Sequence, residues 1–246
     1  MKKDIFFERL SNLLFPDDLK CIICDEELPC YTKFGVCESC FQTLPFITEN
    51  ICERCGEPID DLSNFCNRCK NKQVKFFTKA RAVFSYENQI VALLHTLKFK
   101  QGRYLARYLS EFLIELFKKQ DWQIDYVVPV PTSKKRLKQR GYNQTELITK
   151  PFCQKLNLPL NTTNLIKQKH TLPQTELVGA DRYENLIGAF TVTDKNLFKD
   201  KNILVIDDIM TTGSTMEEIS RILIKNGAKN VYALTVAHTK PPKDLE

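Results

Sequence analysis

The 246-residue chain is 43% apolar and 27% charged, a balance ordinary for a soluble globular protein, so disorder is not the default, and its length leaves room for one fair-sized domain and a small one. Its formal charge is +6, unevenly placed: residues 1–75 hold 10 Lys and Arg against 13 Asp and Glu, and the remainder holds 26 against 17. The basic excess belongs to the second part. It suits an anionic partner such as a phosphorylated metabolite or a nucleic acid, although many solvated surfaces are as basic.

The first stretch, "DIFFERLSNLLF", spaces Ile5, Phe6, Leu10, Leu13 and Leu14 around Glu8 and Arg9, an amphipathic helical pattern rather than the unbroken apolar core of a signal peptide. No segment approaches the roughly 18 uncharged apolar residues needed to span a bilayer. We therefore expect residues 1–19 to be an amphipathic segment and the chain to be cytoplasmic, or at most peripheral at the inner face of the membrane.

Eight of the ten cysteines form Cys-x-x-Cys pairs: Cys21 and Cys24, Cys37 and Cys40, Cys52 and Cys55, Cys66 and Cys69, separated by 12, 11 and 10 residues. Two such knuckles supply the four thiolates that zinc prefers in tetrahedral array, so four knuckles supply two ions. A redox Cys-x-x-Cys normally occurs once, at a helix start, and not as four evenly spaced copies. Full thiolate ligation leaves no open position, so both zinc sites are expected to be structural and to stabilise a segment, residues 20–72, too small to build its own core. Sequential and interleaved pairing both satisfy the chemistry. Sequential pairing closes the shorter loops and is the one expected. Cys30 and Cys153 read as apolar fill.

From residue 73 to 240 the pattern changes to alternating strands and helices. "AVFSY" reads as a strand, followed by helical stripes at Ile90, Leu94 and Leu97 and then at Leu105, Leu109, Phe112 and Leu116. "DYVVPVP" reads as a short buried strand whose prolines force an extended exit into a basic loop. A helix over 143–156, interrupted at Pro151, comes next. "NLIKQ", "GAFTVT", "NILVID" and "NVYALTVA" read as strands, and "STMEEISRILIKNG" as a helix ended by Gly227. This is an α/β chain with a mainly parallel sheet, in which ligands sit beyond the carboxyl ends of the strands.

Two loops at that edge carry unusual chemistry. In "ILVIDDIMTTGST", Asp207 and Asp208 end a strand and are followed by Thr211, Thr212, Gly213, Ser214 and Thr215 at a helix start, where open N–H groups, hydroxyls and a close-approaching backbone can cradle a phosphate. Two carboxylates beside a phosphate suit sugar hydroxyls or a magnesium ion. In "PVPTSKKRLKQRGYNQ", five of the seven residues from Lys134 to Arg140 are basic: Lys134, Lys135, Arg136, Lys138 and Arg140. Such a run is often only a solvated face, but at this sheet edge it can seat pyrophosphate or a nucleic-acid backbone. His95 lies among apolar residues on a helix, His170 and His238 lie in polar surroundings, and no pair has metal-ligand spacing. No catalytic base is assigned.

The acidic pair and its Thr-Thr-Gly turn resemble the phosphoribosyl-pyrophosphate (PRPP) signature of type I phosphoribosyltransferases. The ordered series of four knuckles, "LHTLKFKQG", "VVPVP", "RGYNQ", a basic segment with Gln174, "RYENLIGAF" and the PRPP signature resembles the ComF family of competence proteins. The resemblance implies a phosphoribosyltransferase-type domain after a double zinc ribbon, with Asp207 and Asp208 facing the ribose hydroxyls and Thr211 to Thr215 holding the 5′-phosphate. Carried over residue by residue, the family pattern also covers Lys98, Pro129, Pro131, Arg140, Gly141, Asn143, Gln144, Gln174, Arg182 and Asn185. Lys98, Lys167, Lys169 and Arg182 join the basic loop as contacts to pyrophosphate or a nucleic-acid backbone; at Lys167 and Lys169 the family often has arginine, whose bidentate fork lysine lacks.

The resemblance further implies natural transformation: handling of incoming single-stranded DNA together with a ComFA-type helicase, with PRPP or ribose 5-phosphate and magnesium at the acidic pair. Two other roles stay open, a working phosphoribosyltransferase on an unknown base and a PRPP-responsive regulator. Transfer from PRPP proceeds mainly by positioning and electrostatics, so the lack of an evident proton-transfer residue does not argue against it.

Overall fold

The computed structural model describes residues 20–29, 32–48, 50–59, 63–71, 76–99, 102–168 and 186–239. The amphipathic stretch 1–19 lies outside them. Contacts divide the chain into two compact units, residues 1–44 and 45–246.

Each unit holds one ribbon of the same design. In the first, the Cys21 N–H donates to Glu26 O at 2.8 Å and Lys20 bridges to Glu27; in the second, the Cys52 N–H donates to Glu57 O at 2.8 Å and Ile51 bridges to Pro58. The second knuckle of each then opens a short helix, α1 (Glu38–Gln42) after Cys37 and α2 (Asn67–Lys70) after Cys66. The repeat brings the thiols together sequentially, Cys21, Cys24, Cys37 and Cys40 in one set and Cys52, Cys55, Cys66 and Cys69 in the other, with all Sγ atoms of a set within 4.8 Å of one another. A tetrahedral zinc at about 2.3 Å from each sulfur requires an S–S edge of about 3.8 Å. Cys24 and Cys37 stand 3.8 Å apart and Cys55 and Cys66 3.6 Å. The donor set and its spacing fit zinc in both places.

The two sets differ in surroundings. Cys24 is exposed and Cys37 and Cys40 are half-buried, whereas all four cysteines of the second set are buried in one apolar cluster with Phe77, Ala80, Val231 and Ala233.

That cluster belongs to the α/β body of the second unit. Its sheet has four parallel strands in the order β1-β6-β5-β2: β1 (Lys79–Ser85), β2 (Tyr126–Pro129), β5 (Asn202–Met210) and β6 (Asn230–His238). The two central strands read as continuous aliphatic runs because both faces are covered: Ile203, Leu204, Val205 and Ile206 are all fully buried. Helix α4 (Leu105–Lys118) packs on β1 and β6, and α6 (Gln144–Leu156) packs on α4, β2 and β5. Helix α7 (Ser214–Lys225) buries Met216, Ile219, Ile222 and Leu223 in the cluster that contains the second set of cysteines. Helix α3 (Asn88–Phe99) follows β1, and α5 (Lys134–Arg140) lies between β2 and α6.

Three expectations change. "NLIKQ" and "GAFTVT" do form strands, β3 (Leu165–Lys167) and β4 (Phe190–Val192), but they pair antiparallel with each other outside the main sheet. Helix α6 runs through Pro151 without a break; the helix loses one N–H bond there but buries Ile148, Thr149, Phe152 and Cys153, and that packing outweighs the loss. The basic stretch is a helix rather than a loop. Lys134 to Arg140 are nearly all strong helix formers, the Ser133 hydroxyl accepts the Arg136 N–H at 3.3 Å, and Gly141 ends the turn at φ 79°, a conformation few other residues adopt without strain.

Stepwise addition of a chelator to the zinc-loaded chain should therefore remove the ion of the exposed first set before the second, with no change in the melting of the α/β body. Loss of the second ion should then lower that body's Tm by at least about 10 °C, since each kcal/mol shifts a domain of this size by about 2–4 °C. Zinc release followed alongside thermal unfolding checks this; simultaneous loss of both ions with one melting change would contradict it.

Candidate functional site

A cleft of about 960 Å³ opens at the carboxyl ends of the parallel strands. Its floor is Asp207, Asp208, Ile209 and Met210 at the end of β5. One wall is the turn into α7, and the other is made by α3 and α5.

Within the turn, Gly213 stands at φ 77° immediately before α7, and a Cβ there would come within 3.2 Å of Met210 Cε. Thr211, Gly213, Ser214 and Thr215 line the cleft. Thr212 does not: its hydroxyl lies 2.7 Å from Ser214 Oγ and accepts the Ser214 N–H at 3.4 Å, so it shapes the turn. The start of a three-turn helix thus faces the cleft with its first N–H groups and hydroxyls, an arrangement suited to an anion.

The acidic pair is electrostatically unequal. Asp208 is 5% exposed and its Oδ2 lies 2.5 Å from Lys98 Nζ, a contact that spans from α3 to the end of β5. Its Oδ1 accepts the Ile209 N–H at 3.0 Å. Asp207 accepts the Asp208 N–H at 2.8 Å and forms no ion pair within 4 Å among the described residues. The surrounding protein desolvates it and the Asp208 charge repels ionisation, so its carboxyl titrates well above the usual carboxylate range, with Lys98 only partly offsetting this.

Around the pair stand Arg136, Arg140 and Lys167, none of them in an ion pair among the described residues. Burial and then the charge of Arg136 push both Arg140 and Lys167 below their ordinary pKa values. Crowded cations with too little counter-charge make a seat for an anion. The helical form of the basic stretch decides which of them face it. Arg136, Gln139 and Arg140, at helical i, i+3 and i+4, line the cleft, while Lys134, Lys135 and Lys138 are exposed on the other faces of α5.

The "RGYNQ" residues hold this wall in place. Gln144 Oε1 accepts from Arg140 at 2.9 Å, the Tyr142 hydroxyl donates to Leu97 O at 2.6 Å, and Asn143 both donates to Val130 O at 3.1 Å and accepts the Thr145 N–H at the start of α6. Pro129 and Pro131 carry the chain from β2 to this wall. Lys169, Gln174, Arg182 and Asn185, together with Cys30 and His170, lie outside the described residues.

Two cleft residues carry no evident ligand signal in the sequence. His95 has apolar neighbours along the chain, yet it is exposed in the cleft beside Phe99, which is 59% exposed. Their signal is the spacing Val91, His95, Phe99, offset from the buried Ile90, Leu94 and Leu97 stripe of the same helix. His238, placed in polar surroundings, is buried at the end of β6 with Nδ1 2.7 Å from Thr239 O; desolvation lowers its pKa.

Magnesium fits only in part. Among the described residues no set of three or more carboxylates or histidines converges on the cleft, and one of its two aspartates already faces Lys98. Such a site does not make an all-protein magnesium cage, but Asp207 and Asp208 suit an ion whose other ligands are the ligand's own phosphates and water.

The raised Asp207 pKa has a sign that can be checked. Between the ordinary carboxylate pKa and the raised one, the unfolded chain has lost this proton while the folded chain keeps it, so stability falls as pH rises through that window and stays low above it. Asp207→Asn should raise the Tm of the ligand-free protein at pH 7, and the advantage should vanish near pH 4. Thermal melts of both proteins across that range measure it; an unchanged difference between pH 4 and 7 would refute it.

Residues 10–70 match a family model described as a double zinc ribbon domain, and residues 148–245 match one described as a phosphoribosyl transferase domain. The chain is 30% identical over 230 residues to Competence protein F of Haemophilus influenzae, covering 89% of this chain and 97% of that one. It is 27% identical to DNA utilization protein YhgH of Salmonella typhi, over 85% of this chain and 92% of that one, and 27% identical to Competence protein ComFC of Bacillus subtilis, over 82% and 83%. With four cysteine knuckles gathered into two sets and a parallel-sheet phosphoribosyltransferase-type domain following them in sequence, the chain belongs to the ComF family of competence proteins.

Proposed function

We propose that this protein acts in DNA uptake, handling incoming single-stranded DNA in the cytoplasm alongside a ComFA-type helicase, and that its cleft binds PRPP or ribose 5-phosphate with magnesium. The names of its relatives, competence and DNA utilization proteins, support the first half. The second half rests on one observation: Asp207 and Asp208 lie at the floor of the cleft that the start of α7 and three clustered cations also line.

The carboxylates would accept the ribose hydroxyls, the Thr211 to Thr215 turn would take the 5′-phosphate, and Arg136, Arg140 and Lys167 would face the pyrophosphate. Magnesium, when bound, would neutralise the pyrophosphate charge. A cleft that served only to hold DNA would gain nothing from two aspartates beside an anion seat, because they repel a phosphate backbone; this favours a small sugar phosphate inside it. Outside the cleft, Lys134, Lys135 and Lys138 form an exposed basic face suited to the DNA backbone. A working transferase is the second reading, favoured by the same carboxylates, which sit where positive charge would develop on the ribose.

Titration with PRPP and magnesium should release heat in the wild type and none in Asp207→Ala/Asp208→Ala. Absence of heat in the wild type would sink the ligand assignment. Single-stranded DNA affinity should fall with salt, and replacing Lys134, Lys135 and Lys138 with alanine should flatten the slope of log K against log salt by about 2, at roughly 0.7 per phosphate contact. A slope that stays the same in the triple variant rules out these lysines as the backbone contacts.

A further inference from the structure

The basic face of α5 does not stop at the end of that helix. Lys134 and Lys138 stand at i and i+4, and Gly141, which closes the helix, continues their line at i+7. A Cβ at Gly141 would lie 3.5 Å from Arg103 Nη2, so the line points at Arg103, in the short turn Gly102–Tyr104 that opens α4. Arg107 follows one helical turn later. Lys134, Lys138, Arg103 and Arg107 are all exposed and form a row of cations that crosses from one helix to the other, and none of them lines the cleft. Both arginines lie against rings: the Arg103 guanidinium sits 4.7 Å over Tyr142, and that of Arg107 sits 4.5 Å over Tyr108 while donating to its hydroxyl at 2.6 Å. A planar fork held in this way loses little further freedom when it meets a phosphate.

The two stretches that build the row carry charge of one sign. Residues 88–110 hold four Lys and Arg, residues 126–145 hold five, and neither stretch contains an Asp or Glu. The first carboxylate along α4, Glu111, is held by Lys155 at 2.7 Å. Between the two arginines in sequence stands Tyr104, which is 46% exposed.

We propose that this row is the path of a single-stranded DNA backbone that leaves the lysines of α5 and runs on along the start of α4, with Arg103 and Arg107 on its phosphates and the Tyr104 ring stacked on a base. A lone sugar phosphate would engage one or two such cations; a row across two helices matches a polyanion. Stacking on an exposed ring requires a base whose face is open, which a single strand offers and a duplex does not. An acidic protein segment would meet the same charge but has no base to lay on Tyr104, and the test below treats it as a contrary outcome. The path rests on the DNA reading of Lys134 and Lys138 above, and the two can fail separately.

Anisotropy of fluorescein-labelled oligo(dA) on the full zinc-loaded chain, followed across a salt series, tests the path. Arg103→Gln/Arg107→Gln should flatten the slope of log K against log salt by about 1.4, at roughly 0.7 per phosphate contact, and Arg103→Lys/Arg107→Lys should restore it. Tyr104→Ala should keep the slope and reduce the preference for oligo(dA) over an abasic oligomer of equal length by roughly 5- to 150-fold, the loss typical of removing one stacking aromatic. If the glutamine pair keeps the wild-type slope while the alanine variant of the three α5 lysines flattens it, the extension onto α4 is wrong and the DNA reading stands. If the wild type shows no salt-dependent binding, both fall. A slope that the lysine pair fails to restore assigns the two guanidinium stacks to the fold and overturns the path. A preference for oligo(dA) that survives Tyr104→Ala overturns the stack, and polyglutamate of equal charge that displaces the probe as well as unlabelled oligo(dA) does assigns the row to a protein partner instead.

Discussion

A buried carboxylate needs a partner, and at the end of the central strand that partner is Lys98. The 2.5 Å contact from Lys98 to Asp208 joins α3 to β5 across the cleft. The Tyr142 hydroxyl on the Leu97 carbonyl then joins α3 to the segment after α5. Both helices of that wall, α3 and α5, are thereby referred to the same strand end, and the opposite wall, the turn into α7, follows directly from it. The charge distribution follows from this tie: Asp208 is compensated from within the protein, and Asp207 is left with burial and a like charge beside it. The cleft thus holds one satisfied carboxylate, one reluctant one, and three cations without carboxylate partners among the described residues. A ligand carrying hydroxyls and phosphates complements that set.

The ribbons solve a different problem with one motif used twice. The same pair of knuckles builds a compact unit of its own in one copy and part of a domain core in the other. In the second copy the cysteines are buried beside Phe77, Ala80 and residues of β6, so a metal-thiolate cluster takes the place of aliphatic side chains on one face of the sheet. In the first, Leu28, Val36 and Leu44 are the buried aliphatic side chains among the described residues, so ligation is expected to carry much of the stability. Sulfur spacing near the edge of a zinc tetrahedron in both copies shows that the geometry is set by the knuckle turns, independent of what surrounds them.

Much of this was written in local patterns. The aliphatic run of β5 and β6 announces strands covered on both faces, four Cys-x-x-Cys pairs announce two tetrathiolate sites, and Asp207 to Thr215 joins acid, hydroxyl and glycine within one strand-to-helix turn. These depend on neighbours in sequence: alternation, helical period, and chelate loops short enough to close cheaply. The helix at Lys134–Arg140 was legible too, from Ser133 and Gly141 at its ends, but the charge of the run obscured it.

What local pattern could not settle was decided by packing. Pro151 signals a break, and only the burial of the residues around it keeps α6 continuous. "NLIKQ" and "GAFTVT" carry strand propensity without saying which sheet they join, because pairing partners are chosen by tertiary contact. His95 and Phe99 look like part of a helix's apolar content until the fold settles which stripe turns inward. Lys98 is 110 residues from Asp208, and no sequence period links residues that far apart; their ion pair exists because β1 and β5 lie in one parallel sheet and release their chains at the same edge. The sequence by itself determined which groups could bind metal and phosphate. The tertiary structure alone decided which of them share a cleft, since electrostatic and stacking contacts depend on distance in space and not along the chain.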